Sequence, residues 1–212
     1  MASIAQGNIE LPKENKGKKR VLHVGCGMQP VHDKFRGPMW EEVRLDISES
    51  CKPHIIANMC DMHMIKDKEF DAIYSSHNIE HLFENDLGVA LKEFYRVLKV
   101  GGFAYIATPD LQKVADLIAK GKVLEPVYTS PVGPIYPLDI VYGHRPSIAK
   151  GSVYMAHKFG FTAISLGKYL KAAGFVDITV QRQSDGYNLY SIGYRLEDEK
   201  RKKAKSELSK KI

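Results

Sequence analysis

The chain has 212 residues, 44% hydrophobic and 26% charged, which suits one globular domain with a sizeable core. No run of 18 apolar residues is present and residues 1–20 lack an apolar signal segment, so neither a transmembrane helix nor a secretory leader is expected. The net charge of +6 sits at the ends: +3 over residues 1–20, +4 over 195–212 and −1 between them, a pattern of solvated basic tails on a near-neutral body.

Residues 1–18 read as a flexible leader. "RVLHV" at 20–24 is a short apolar strand running into "GCG", and "EVRLDI" at 42–47 is a second strand. "HIIANM" at 54–59 and "FDAIYSS" at 70–76 read as the third and fourth. "LGVALKEFYRVLKVGG" at 87–102 predicts a helix with Leu87, Leu91, Phe94 and Leu98 on one face, stopped by Gly101 and Gly102. A fifth strand, 103–109, and a helix over 111–121 follow. Residues 122–160 hold five of the ten prolines, with Tyr128, Tyr136, Tyr142, Tyr154, His144 and His157 among them. This stretch is expected to be an irregular insertion covering the substrate side of a single domain, 19–198. A helix at 161–175, closed by Gly174, leads to two strands at 176–182 and 188–195, joined through the turn signal Asp185-Gly186. Residues 199–212 form a basic tail, read as a frayed helix. Strands alternating with helices imply a mostly parallel α/β sheet, with the last pair added antiparallel at one edge.

Three cysteines, Cys26, Cys51 and Cys60, with no C-x-x-C spacing fit reduced thiols and a cytoplasmic location. His77, Glu80 and His81 spell H-x-x-E-H, the pattern of inverted zinc peptidases. Such a site needs its histidines inside a long helix and a distant third ligand. Here the pattern follows directly on a strand, so capping or packing is expected of Glu80 and His81, and no metal site.

The Gly25-Cys26-Gly27 turn lets backbone approach a ligand, and the helix expected after it would aim its N-terminus there. Pro30 breaks the G-x-G-x-x-G pyrophosphate fingerprint. Asp46 lies about 20 residues after the turn, where a carboxylate can accept ribose hydroxyls.

In order and spacing, "VLHVGCG", "LDIS", "CDMH", "FDAIYSSHNIEHL" and "ALKEFYRVLKVGGFAYIATPD" resemble the class I S-adenosylmethionine-dependent methyltransferases, and in particular the small bacterial type with "GCG" and "EHL". The resemblance implies a Rossmann-like, doubly wound sheet of seven strands with helices on both faces, and S-adenosylmethionine as cofactor. It implies that Gly25, Cys26 and Gly27 pass the methionine part, that Asp46 takes the ribose and that Ile47 packs on adenine. Asp61 would accept from the adenine amino group with Met62 beside it, and Ser76 and His77 would lie near the amino end and the transferred methyl. His23 stands where the family often has an acid, and Gln29 where a third glycine is frequent.

The fourth strand lacks an Asn-Pro-Pro-Tyr motif and a Pro-Cys pair, which argues against DNA bases as acceptors. A small molecule methylated on oxygen, of sugar or secondary-metabolite type, is the expected acceptor. His77 and His144 are the candidate bases, and Tyr142, His144 and His157 the candidate substrate contacts. No nucleic acid and no membrane partner is expected, and homodimer formation is left open. A regulatory protein that binds the cofactor without turnover, and a methyltransferase acting on RNA or protein through the tails, are the alternative readings.

Overall fold

The computed structural model describes residues 17–196, so the N-terminal leader (apart from 17–18) and the basic tail expected at 199–212 lie outside the described residues. The strands are β1 (Lys19–Val24), β2 (Trp40–Asp46), β3 (Ile55–Ile56), β4 (Phe70–Ser76), β5 (Leu98–Pro109), β6 (Tyr128–Ser130), β7 (Gly133–Ile135), β8 (Val176–Arg182) and β9 (Asn188–Tyr194). The helices are α1 (Glu84–Val97), α2 (Leu111–Ala119), α3 (Pro137–Tyr142), α4 (Arg145–Ala149) and α5 (Ala163–Ala173).

Seven strands form one sheet in the order β3-β2-β1-β4-β5-β9-β8, and β6 and β7 make a separate hairpin. Within the large sheet β9 runs antiparallel to both of its neighbours, and the pairs from β3 to β5 are parallel. The chain builds outward from β1 to β3 on one side and then from β4 to β5 on the other. The order therefore reverses between β1 and β4, and the strand ends part there to leave a crevice.

Alternation along the strands gives the sheet two faces. Leu22, Val24, Ile73, Ala104 and Ile106 join the main core with Leu87, Leu91 and Phe94 of α1 and Leu166 and Leu170 of α5. Val21, Ala72 and Tyr74 point the other way, into an aromatic layer with Phe35, Trp40, Phe103 and Tyr105. Segment 25–39 supplies part of that second layer with a single 3-10 turn, Asp33–Phe35, where a helix was expected. Pro30 and the Gly37-Pro38 pair explain the difference, since both interrupt a helical backbone. The strand expected at 54–59 shortens to Ile55–Ile56, which pair with Leu45 and Asp46 at the sheet edge.

The end of α1 also differs from expectation. The helix stops at Val97, and Gly101 and Gly102 lie in an irregular start to β5. The register jumps from Phe70 opposite Leu98 to Ala72 opposite Phe103, so the extra β5 residues loop out. Gly101 takes φ +81°, and a Cβ on Gly102 would stand 2.9 Å from the carbonyl oxygens of Asp71 and Lys99. The glycines thus serve a bulge, not a helix cap.

The last carbonyls of α1 are satisfied from elsewhere in the chain. Lys68 N donates to Arg96 O and Glu69 N to Val97 O. The buried Arg195 reaches back with Nη1 to the carbonyls of Tyr95, Arg96 and Leu98 at 2.8, 2.6 and 2.8 Å. A cation at a helix C-terminus also opposes the dipole. Arg195→Met keeps bulk but strands buried carbonyls, so it should cost about 2–3 kcal/mol and lower the melting temperature by roughly 4–12 °C. A thermal melt checks this; an unchanged transition would mean that water replaces the guanidinium without loss.

Candidate functional site

The largest cavity, about 680 Å³, opens at the carboxyl ends of the strands and is lined by residues from the β1, β2 and β4 ends and from the insertion. That size suits a nucleoside-sized ligand with an acceptor beside it. Gly25, Gly27, Asp46, Ile47, His77, His144 and His157 all line it. Residues from five separate places in the sequence are thus brought to one cavity.

The glycine turn is built by its surroundings. Gly25 and Gly27 take φ +65° and +48°, and Gly25 N continues the ladder by donating to Leu45 O at 2.8 Å. A Cβ on Gly25 would stand 2.1 Å from Asn78 Oδ1. The Asn78 amide packs there because its Nδ2 donates to Val24 O and Ser76 O at 3.0 and 2.9 Å, fastening the end of β1 to the end of β4. Asp46 holds the turn from the other side: Oδ2 accepts from Gly27 N at 2.8 Å and Oδ1 from Ser48 N at 2.9 Å. Each carboxylate oxygen keeps a further lone pair, so a cavity-facing hydroxyl can still be bound. Ile47, 55% exposed, presents an apolar side chain at the cavity wall, which suits an aromatic base.

His23 forms a different brace from the acid that the resemblance led us to expect. His23 Nδ1 lies 2.8 Å from Glu42 Oε1, which also accepts from Arg44 Nη1 at 3.0 Å. Arg44 then donates to the carbonyls of Gly27 and Gln29 at 2.7 and 3.0 Å. Burial works to raise the Glu42 carboxyl, but His23 and Arg44 outweigh it and hold it below the usual range. The missing acid is supplied by the neighbouring strand, and the loop is tied through Arg44. Cys26 is buried beneath the turn, and burial pushes its thiol up to about 11, so it is a packing residue there.

Other expected residues lie off the cavity. Asp61 has a side chain 68% exposed and pairs with His63 Nδ1 at 2.7 Å; that pairing, ahead of the small cost of burial, lowers its carboxyl. Met62 is fully buried in the main core. The reason is the tight turn after β3, where Asp61 N donates to Asn58 O and the chain reverses. Asn58, Met59 and Cys60 face the cavity in their place. Ser76 ends β4 without lining the cavity. Asn58 and Asn78 were missed, though both are polar residues just past a strand end, the signal that singled out Asp46.

His77 takes φ +56°, uncommon for a residue with a Cβ, directly after β4. Its Nδ1 lies 3.3 Å from Glu80 Oε1. Burial alone would lower the His77 imidazole, but the Glu80 carboxylate outweighs it and raises it. Glu80 is 1% exposed, and its carboxyl is lowered, against burial, by His77 and His81. In the insertion, His144 precedes α4 and its Nδ1 lies 2.6 Å from Ser147 Oγ. Tyr128 and Tyr154 line the large cavity, Tyr142 lines a smaller pocket next to it, and Tyr136 caps the start of α3 instead.

Asp139 anchors this insertion. It is buried and accepts from Tyr136 N at 3.0 Å and from Arg145 N and Nε at 3.2 and 2.7 Å. Burial opposes ionisation, but these donors win and the carboxyl lies below its ordinary 3.8. Its contribution is therefore complete above a pH of about 4 and fades as pH falls through the folded value. Because Arg145 is half exposed, Asp139→Asn should cost about 1–2 kcal/mol at neutral pH, or roughly 2–8 °C. The gap from wild type should narrow in melts taken progressively below a pH of about 4; a gap constant with pH would remove the ion pair from the account.

Residues 22–106 match the family described as "Methyltransferase domain". No curated protein sequence matches the chain. Among solved structures, a SAM-dependent methyltransferase from Archaeoglobus fulgidus is similar, with TM-score 0.56 and 16% identity over 85% of this chain and 87% of that one. One from Methanosarcina mazei gives TM-score 0.56 and 15% identity over 86% and 94%. The Burkholderia thailandensis 1,6-didemethyltoxoflavin-N1-methyltransferase, solved with 1,6-didemethyltoxoflavin and S-adenosylhomocysteine, gives TM-score 0.54 and 14% identity over 85% and 72%. At such identities the structures attest the fold, while the matched residues span the glycine turn, Asp46 and the β4 end. Residues 22–106 thus resemble the methyltransferase-domain family, and the fold over most of the chain is that of S-adenosylmethionine-dependent methyltransferases.

Proposed function

We propose that the protein transfers the methyl group to a hydroxyl oxygen of a small polar acceptor, of sugar or secondary-metabolite type. The observation that carries this reading is the character of the cavity wall that the insertion supplies. His144, Tyr128, Tyr154 and His157 from the insertion close the cavity with polar-tipped rings, enough for a small molecule and its hydroxyls.

S-adenosylmethionine supplies an electrophilic methyl on a sulfonium and leaves as S-adenosylhomocysteine. The chain's own residues then have three tasks. Asp46 fixes the ribose, the glycine turn leaves room for the methionine part to pass, and Ile47 and Met59 supply apolar wall. Segment 122–160 acts as the lid that seats the acceptor and excludes water. Alignment of this kind can supply much of the acceleration, up to about 7–11 kcal/mol in favourable cases. His144 or His77 accepts the one proton that the hydroxyl gives up as it is methylated; an imidazole suits that task near neutral pH.

Of His144→Gln and His77→Gln, the one that removes the base should lower kcat by about 10²-fold or more while S-adenosylhomocysteine still raises the melting temperature. The assay is transfer of labelled methyl to a panel of monosaccharides, sugar acids, phenols and hydroxy acids, with total RNA and a protein extract as the other arms. Label in an O-methyl product of the small-molecule panel supports the reading. Label only in RNA or protein overturns it.

A further inference from the structure

Cofactor binding does not account for the H-x-x-E-H stretch. Residues Ile79–His81 form a 3-10 turn, not the long helix of a zinc peptidase. The turn sends Glu80 into the interior and His81 toward the insertion, where the backbone of Lys158 and Phe159 donates to Glu80 O at 2.8 and 3.1 Å. His157 is thereby brought beside His81, with ring centroids 4.8 Å apart. One ligand atom from each of Glu80, His81 and His157 lies within 4.8 Å of the others.

Two features make this set more than a polar cluster. His81 Nδ1 lies 3.0 Å from Ala156 O, and His157 Nδ1 lies 2.8 Å from Ile140 O. A carbonyl can only accept, so both Nδ1 atoms carry hydrogen, and in the neutral rings the lone pair is on Nε2. Backbone carbonyls fix metal-ligating histidines in the same tautomer. The second feature is Glu80 itself. Oε2 accepts from Thr108 Oγ1 at 3.1 Å, and the buried Oε1 faces His77 Nδ1 at 3.3 Å as a long ion-pair contact. A buried carboxylate with one long contact on an oxygen is weakly compensated for its loss of water, and a cation beside it would complete that compensation.

We propose that Glu80, His81 and His157 bind a first-row divalent metal ion, of the Zn²⁺, Co²⁺ or Mn²⁺ kind, at the base of the cavity. Two imidazoles and one carboxylate suit such ions, and three protein ligands leave positions open. Bonds of about 2.1 Å place tetrahedral donors roughly 3.4 Å apart, so the set draws in by about 1 Å on binding. His81 and His157 line the large cavity, and Glu80 and His157 line the pocket beside it, so an acceptor oxygen can reach the open positions. The ion would hold and polarise that oxygen. This role rests on the oxygen-acceptor reading; the binding of the ion does not.

The test uses the full chain, stripped with EDTA and dialysed, without cofactor or acceptor. Co²⁺ is titrated by its visible absorption, and Zn²⁺ in competition with a chromophoric chelator. One equivalent should bind, and His81→Gln, His157→Gln and Glu80→Gln should each weaken it by at least about 10-fold. Melts of the metal-free variants identify those that keep the wild-type transition, and only these are scored. The double variant Cys51→Ser/Cys60→Ser should bind like wild type. No stoichiometric binding, or binding unchanged in a folded His81→Gln or His157→Gln protein, overturns the site. Methyl transfer is read separately, so an intact metal signal without O-methylation would count against the acceptor reading alone.

Discussion

The Asp46 carboxylate is the constraint on which the site depends. It sits where β2 ends, and it holds the amide of Gly27 at 2.8 Å and that of Ser48 at 2.9 Å. A glycine turn with two positive φ angles has no regular ladder to stabilise it, so it needs an external anchor. Asp46 provides one anchor, Asn78 a second from the end of β4, and Arg44 a third through the carbonyls of Gly27 and Gln29. The same carboxylate keeps lone pairs toward the cavity. One group therefore shapes the loop and remains able to bind a ligand.

The sheet order explains why these anchors converge. Parallel strands put their carboxyl ends on one side, and the reversal of strand order between β1 and β4 opens a gap there. The side chains that follow each strand end then face one another across it. The insertion closes the far side through Asp139 and its donors, which bring His144 and Tyr128 to the rim. His157 arrives there by pairing of the insertion's backbone with the Glu80 turn.

Legibility in the sequence followed how local the cause was. β4 was readable to the residue because an apolar run is bounded by Glu69 and His77. Gly174 at the end of α5 was readable as a left-handed cap, and it takes φ +111°. Gly101 and Gly102 carried a true signal of unusual backbone but were assigned to the wrong element, because the carbonyls of α1 are capped by Arg195, about a hundred residues away. Asp61 and Met62 were misplaced by a turn of a few residues, enough to exchange cavity for surface and core. The convergence of His157 on Glu80 and His81 left no trace in spacing, since it depends on how the insertion folds back. His23 read as a missing acid, whereas its partner Glu42 lies across the β1–β2 pair.

The most direct test of the central claim is the melting temperature with and without S-adenosylhomocysteine, for wild type and Asp46→Ala. At about 100 times the dissociation constant the ligand should add ~2.7 kcal/mol, which for a domain of this size is roughly 5–10 °C. The account predicts that rise in wild type and its loss in Asp46→Ala, whatever the variant's own starting stability. A rise of equal size in both proteins would contradict the place given to Asp46, and no rise in wild type would contradict the cofactor site as a whole.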